Sequence, residues 1–383
     1  MTNKSFVLQE TIVLDKATLT HFIESQIEPN VAQWERDRDV PMETFRKAGQ
    51  AGLCGLMVPI EEGGSNLPLS KLVPVFEQLA YSDMGFAFAL IPHNNLSNAI
   101  ARESAPSLNS RYLQAMLSGE LLGAFLLTEP DVGSDASRIK TRAELRDGRW
   151  FLNGEKSWVT NSSRAGLLRV YAQTEPGSGA RGIAAFLVDA DQAGVKRSSS
   201  YDMLGGHAIG VGGVSFSQVE LDQGQLLSPA GVAYAAAMEA IGLARVLVAA
   251  LCAGILKRAL DVSVERLAQR HAFGGRLADK QGLRWMLADV ATNLNAARAL
   301  TDIAASAIDS NQVDCIVHAA HAKKFAARAA TQGVEQCMQV FGADGLLQTH
   351  PLARHLAGAK MAHYLDGSTE VQNLLISKAL FDR

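Results

Sequence analysis

Two short stretches of this 383-residue chain carry side chains suited to holding a flat, anionic ligand. The first is Leu127-Thr128-Glu129-Pro130-Asp131-Val132-Gly133-Ser134-Asp135, and the second is Glu155-Lys156-Ser157-Trp158-Val159-Thr160-Asn161. The first reads as a strand running into a Gly-Ser turn, which leaves backbone N–H groups free to meet an anion. The second ends a strand with an aromatic ring, a hydroxyl and an amide. An electron-poor planar ring seated there would be stacked by Trp158 and hydrogen-bonded by Thr160. Taken singly, the stretches are a capped turn and a core tryptophan; their combination and spacing point to a ligand. A third run, Arg270-His271-Ala272-Phe273-Gly274, offers a guanidinium that either forks onto phosphate oxygens or ends a solvated helix.

Three compositional zones must position these groups. Residues 1–122 read as helical: Leu19, Phe22, Ile23 and Ile27 form one stripe, and Gly63-Gly64-Ser65-Asn66 joins helices. Residues 123–232 read as a small β domain, a barrel or sandwich. Asp147-Gly148 predicts a hairpin between Lys140–Arg146 and Arg149–Asn153, and alternating or apolar runs follow at 169–173, 183–189 and 214–221. Residues 233–383 are helical again and rich in alanine. Leu283, Met286, Leu287, Val290 and Leu294 make a clean amphipathic stripe, as in a bundle.

The composition, 48% hydrophobic and 20% charged, is that of an ordinary globular chain. A net charge of −3 gives no basic excess for nucleic acid or an anionic membrane. Cys54, Cys252, Cys315 and Cys337 are too scattered for a zinc site or a disulfide framework, so no metal is expected. Met1–Lys16 shows no leader pattern, and the longest uncharged apolar run, Val246–Leu256, is too short to span a bilayer. The expectation is a soluble, cytoplasmic protein.

Together, the first two stretches closely resemble the flavin-binding signature of the acyl-CoA dehydrogenase family. The resemblance extends over nearly the whole chain. Glu35-Arg36-Asp37-Arg38-Asp39-Val40-Pro41, Ala48-Gly49-Gln50-Ala51-Gly52-Leu53 and Val58-Pro59-Ile60-Glu61-Glu62-Gly63-Gly64 are similar to the family's N-terminal domain. It implies a mainly α protein: an N-terminal helical domain, a middle β-barrel or sandwich domain and a C-terminal four-helix bundle, with FAD held between domains and at a subunit interface. Phe125, Leu127 and Thr128 would meet the isoalloxazine edge, with Gly133 and Ser134 beside them. Trp158 and Thr160 would lie at the ring face and near its reactive nitrogen. Arg270, with Phe273 and Gln281, would reach the pyrophosphate of the neighbouring subunit's FAD. Gln339, Gly342 and Ala343 would face the adenosine, Ala343 standing where the family has a second glycine. Ser368 and Glu370 complete the implied cofactor contacts.

Tyr364-Leu365-Asp366-Gly367-Ser368-Thr369-Glu370-Val371-Gln372 resembles the family's base-bearing segment, with Asp366 in the glutamate's place. Read alone, Asp366 is a turn residue before Gly367. As a base it would take a proton from the carbon next to a thioester carbonyl. In the family that carbonyl is polarised by the base's own N–H and a ribityl hydroxyl of FAD, and the neighbouring carbon gives hydride to the flavin. Aspartate is shorter by one bond of about 1.5 Å. A misplacement of about 1 Å can cost roughly a hundredfold in rate, so the backbone or the substrate must sit closer.

Leu365 replaces a family tyrosine, and both departures imply a branched, cyclic or otherwise non-standard acyl group. The implied substrate contacts are Ser134, Arg245, Leu365 and Gly367, with Arg245 near the CoA nucleotide or the adjoining helix. The family's alternative base position aligns with Ala244, which cannot act, and Glu239 lies more than a turn away. Gly242 replaces an aspartate that meets pantetheine, which leaves both an acyl-CoA and a carrier-protein thioester open. Asn373 replaces an arginine on which nitroalkane oxidases rely, and so argues against an oxidase of that type. A non-catalytic flavin-binding homologue is the remaining alternative. His93 reads as a loop histidine, bordering the site or structural. The implied partners are an electron-transfer flavoprotein and further copies of the chain, as a homotetramer or homodimer.

Overall fold

The computed structural model describes residues 14–381. Most of Met1–Lys16, read above as lacking a leader, lies outside them. Six helices come first: α1 (Lys16–Phe22), α2 (Val31–Asp37), α3 (Met42–Gln50), α4 (Leu69–Ser82), α5 (Met84–Glu103) and α6 (Pro106–Leu117). The Leu19-Phe22-Ile23-Ile27 stripe is wholly buried, although a π-helical turn, Ile23–Ile27, carries its second half. Asp83 starts α5: its carboxylate accepts from the Phe86 N–H at 2.7 Å, satisfying a donor the helix cannot.

The middle zone holds β1 (Gly123–Leu126), β2 (Arg142–Arg146), β3 (Arg149–Val159), β4 (Leu167–Gln173), β5 (Ile183–Asp189), β6 (Val195–Arg197), β7 (Gly212–Leu221) and β8 (Leu226–Ser228). They form one sheet in the order β6-β7-β3-β2-β4-β5-β8, with β1 also paired, in parallel, to β4. The β2–β3 turn has φ 48° at Asp147 and 80° at Gly148, the left-handed pair a two-residue hairpin requires. All seven residues of β4 are buried, Arg169 and Gln173 among them, so both faces of this strand are covered rather than one.

The last zone contains α7 (Ala233–Gln269), a small hairpin of β9 (His271–Ala272) and β10 (Gly275–Arg276), then α8 (Gln281–Asp309), α9 (Cys315–Phe341), α10 (Pro351–Ala362) and α11 (Thr369–Phe381). The first three long helices pack on one another, and α4 crosses α7 and α8. By length and composition α7 could cross a membrane, with mean hydropathy 2.0 over its most apolar window, but 78% of that window is buried inside the protein. Its apolarity therefore serves the core, which Val246–Leu256 occupy at near-zero exposure.

Small residues set the helix spacing. A Cβ added at Gly254 on α7 would stand 2.2 Å from the Glu77 carbonyl oxygen on α4. That neighbour is backbone and cannot swing away. Gly254→Ala should therefore push α4 off α7 and cost about 1–3 kcal/mol, the usual penalty for overpacking. The expected reading is a lower apparent Tm in thermal denaturation; an unchanged Tm would show that the crossing can relax.

Candidate active site

The first two stretches lie side by side. The Ser157 N–H donates to the Thr128 carbonyl at 3.0 Å. Beneath them, Lys156 Nζ donates to the Leu127 carbonyl and to Glu129 Oε1, both at 2.9 Å. The lysine and glutamate side chains are 0% and 4% exposed. Glu129 also accepts from the Lys140 N–H at 2.6 Å and the Thr141 N–H at 2.8 Å. Burial pushes the Glu129 carboxyl up, and Lys156 with these donors more than reverses it, holding it below its usual value. Burial pulls Lys156 down to about 8, which leaves it charged at neutral pH.

Beyond Lys156, β3 slips its register against β7, a bulge between Lys156 and Val159. Trp158 takes φ 57° there and stands 64% exposed, its ring edge-on to Tyr201 at 5.0 Å between centroids. A bulge re-aims a side chain in this way, and a left-handed bulky residue is a genuine outlier. Asn161, also left-handed at φ 64°, donates through Nδ2 to the Ala89 carbonyl at 2.8 Å and the Gly123 carbonyl at 3.3 Å. It thereby fixes the strand end against α5 and β1. None of the described hydrogen bonds involves the hydroxyls of Thr128, Ser134 or Thr160, or the indole of Trp158.

These groups open onto a cavity of about 590 Å³. Its wall is completed by α5 through Phe88, Ile91, Pro92 and Asn95, by Tyr234, Met238 and Ile241 on α7, and by the segment Tyr364–Ser368. Asp366 sits there at φ 51°, a left-handed position that aspartate tolerates better than most residues. Its Oδ2 is buried without a hydrogen-bond partner, and no described bond uses its own N–H. Burial pushes the carboxyl up to about 6, with the positive charges of Lys323 and Arg245 opposing the rise.

Two buried cations hold the Asp366 segment through its carbonyls. Arg245 Nε donates to the Asp366 carbonyl at 3.0 Å. Lys323, 1% exposed on α9, donates to the Gly367 carbonyl and, at 3.4 Å, to the His363 carbonyl. His363 in turn lies between the Thr369 and Thr331 hydroxyls, at 2.9 and 3.1 Å. Arg245 thus lines the cavity from behind the base segment. Lys323 was not singled out from sequence; the available signal was a lone lysine on an alanine face, with Ala319, Ala326 and Ala330 on the same stripe.

The cavity brings together Phe125, Leu127, Thr128, Gly133, Ser134, Trp158, Thr160, Arg245, Leu365, Asp366, Gly367 and Ser368. It does not include Arg270, Phe273, Gln281, Gln339, Gly342, Ala343 or Glu370. Phe273 is 92% exposed, beyond the C-terminal end of α7. The Arg266–Asp344 ion pair fastens that end of α7 to the turn after α9, so the Arg270 and Gly342 segments share one exposed end of the bundle. Gly242 faces Ile316, and His93 lies within α5, not a loop, fully buried and outside the lining. It accepts from the Gly123 N–H at 3.2 Å through Nδ1, and burial pulls it down to about 4, so it is a neutral structural group.

An exposed indole with unpaired hydroxyls around it fits a flat, polar-edged ring. The residues lining the cavity therefore suit the isoalloxazine of FAD. Among the described lining residues the one guanidinium is that of Arg245, whose Nε donates to the Asp366 carbonyl.

Family models for acyl-CoA dehydrogenases match almost the whole chain: the N-terminal domain over residues 13–120, the middle domain over 124–219 and the C-terminal domain over 234–381. An acyl-CoA dehydrogenase of Bacillus subtilis (strain 168) is 31% identical over 375 residues, 98% of each chain. Butyryl-CoA dehydrogenase from Megasphaera elsdenii superposes with a TM-score of 0.90 at 30% identity, covering 98% of this chain and 99% of its own. A chain solved with the electron transferring flavoprotein of Acidaminococcus fermentans does so with a TM-score of 0.92 at 31% identity, covering 99% and 100%.

The buried cations define a measurable property of Asp366. Lys323→Met removes a nearby positive charge, so the Asp366 carboxyl should titrate higher, by about one unit or more. Lys323→Arg should keep it close to the wild-type value. Carbon-13 NMR of labelled aspartate, assigned against Asp366→Asn, reads this directly. No difference between the Met and wild-type proteins would mean that Lys323 does not reach the carboxylate.

Proposed function

The chain belongs to the acyl-CoA dehydrogenase family, FAD-dependent flavoprotein oxidoreductases, and from that premise we propose that it dehydrogenates the α,β bond of an acyl-CoA thioester with Asp366 as the base. The supporting observation is a buried carboxylate with a free Oδ2, opening onto the same cavity as Trp158 and Thr160. Asp366 takes the proton from the carbon next to the thioester carbonyl, and its unpaired backbone N–H is the donor for that carbonyl's oxygen. Arg245 and Lys323 keep the segment from shifting as the carboxylate changes charge. Trp158 and Thr160 hold the cofactor's ring, and the apolar face of α5 excludes water from the acyl group. FAD, when bound, supplies the acceptor for the hydride that leaves the β carbon.

The shorter base and Leu365 favour a branched, cyclic or otherwise non-standard acyl group. Backbone conformation adds a reason for aspartate. At φ 51° aspartate is among the non-glycine residues most often found, and the position is fixed from behind by two buried cations. The exposed Arg270, Phe273 and Gly342 segments fit a cofactor's pyrophosphate and adenosine reached from a second copy of the chain, which supports a homo-oligomer. Electrons would leave to an electron-transfer flavoprotein.

Anaerobic mixing with a panel of straight, branched and cyclic acyl-CoAs, read by loss of flavin absorbance, tests the reaction. Bleaching by nitroalkanes alone would indicate an oxidase, and bleaching by neither a non-catalytic homologue. Asp366→Asn should slow the bleaching by a factor of roughly a hundred to ten thousand while FAD stays bound. Because only the ionised carboxylate accepts a proton, the wild-type rate should fall as pH drops through about 6 and level off above it. Asp366→Glu should lose activity on the native substrate, since the extra methylene enters the acyl space. Unchanged bleaching in Asp366→Asn would remove the assignment. Separately, Arg270→Ala should lower FAD retention on dialysis and weaken the oligomer in sedimentation; full retention would remove the cross-subunit role.

A further inference from the structure

The face that α5 turns to the cavity is Phe88, Ile91, Pro92 and Asn95, at spacings 0, 3, 4 and 7, one stripe of a helix. The first three are apolar and buried. The fourth breaks the pattern with a carboxamide. No described hydrogen bond or ion pair uses the Asn95 side chain. Its neighbours turn elsewhere: Asn94 accepts from the Leu56 N–H at 2.8 Å and donates to the Leu53 and Leu90 carbonyls. His93 accepts from the Gly123 N–H through Nδ1 and lies outside the cavity lining. Asn95 alone on this helix presents an open donor and an open acceptor to the cavity.

A polar group on an otherwise apolar wall is costly unless something pairs with it. On a wall built for hydrocarbon alone, leucine would serve better at this position. The remaining polar side chains of the lining are placed otherwise. Thr128, Ser134, Ser157, Trp158 and Thr160 come from the two strand-borne stretches, Tyr234 and Arg245 from α7, and Tyr364, Asp366 and Ser368 from the segment before α11.

We propose that Asn95 selects the acyl group, and that the substrate's acyl moiety carries a neutral hydrogen-bonding group, a hydroxyl, an oxo group or a ring N–H, beyond the carbons that react. This rests on the thioester dehydrogenase reading above and names its substrate class. The carboxamide both donates and accepts without charge, so it suits a neutral partner; a carboxylate would call for a cation. A site that hydrogen-bonds a substrate group discriminates far better against the analogue lacking it than an apolar pocket discriminates by size.

The test measures binding apart from turnover. In FAD-loaded Asp366→Asn protein, titration calorimetry compares pairs of short acyl-CoAs matched in size, one hydrocarbon and one with a hydroxyl, oxo or ring N–H group, together with a carboxylate-ended member. The neutral polar member of at least one pair should bind more tightly, by tenfold or more. Adding Asn95→Leu should erase or reverse that ratio, while Asn95→Gln should retain part of it. Equal ratios with Asn95 and with leucine would overturn this inference and leave the acyl-CoA reading standing. Preference for the carboxylate-ended member would overturn the neutral-group assignment. Binding of no acyl-CoA at all would overturn both.

Discussion

The buried Lys156–Glu129 pair is the interaction on which the site depends. One lysine nitrogen bonds the Leu127 carbonyl and the Glu129 carboxylate, and that carboxylate collects the Lys140 and Thr141 amides. Three chain segments are thereby fixed around one charge pair: the stretch from Leu127 to Glu129, the return to β2, and the end of β3. Buried pairs of this kind contribute little net stability against an apolar substitute, yet removing one partner costs about 3–5 kcal/mol because the other charge is stranded. The pair therefore specifies geometry more than it adds stability. What it specifies is the position of Thr128, Trp158 and Thr160 relative to one another, the three groups best placed to receive a flat ring.

Three of the non-glycine residues with left-handed backbone lie at or beside the same cavity. Trp158, Asn161 and Asp366 all adopt left-handed backbone without being glycine. Each such residue costs on the order of 1–3 kcal/mol and persists only where its surroundings over-determine it. The surroundings can be named in each case. The bulge between Lys156 and Val159 turns Trp158 outward, the Ala89 and Gly123 carbonyls hold Asn161, and Arg245 takes the Asp366 carbonyl. All three outliers direct a side chain or a backbone group toward the ligand space or its frame.

Much of this is readable from residue order, and what is not has physical causes. The change from period 3.6 to strand alternation and back locates the sheet between helices, because periodicity is a property of neighbouring residues. The β2–β3 hairpin follows from Asp147-Gly148 for the same reason. Trp158, Thr160 and Asp366 are legible as motif members, but the left-handed backbone of Trp158 and Asp366 is not, since it depends on a bulge and on cations from distant helices. Lys323 is invisible as a site residue because a lysine on a helix is by default solvated; only the packing of α9 under the Asp366 segment buries it. Asn95 hides for the opposite reason: polar residues in a helix draw no notice until the cavity beside them is known. Arg270 and Gly342 stand at one exposed end of the bundle, outside the cavity, so their place in a site cannot be read from one chain's packing.

The way the two cations engage the base segment decides what Asp366 can do. Had Arg245 and Lys323 paired with the carboxylate itself, they would have driven its pKa far down and left a weak base. Instead they bond the carbonyls of Asp366, Gly367 and His363, and Oδ2 stays unpaired. Burial then dominates and lifts the carboxyl to about 6. Each unit of that rise is worth about 1.4 kcal/mol in proton affinity, and a base titrating just below neutral pH combines near-complete ionisation with useful strength. The nearby positive charges limit the rise, so the group is not protonated at rest. Positioning through the backbone and tuning through burial are thus separate devices, and their separation lets the same two cations hold the Asp366 segment without pairing with its carboxylate.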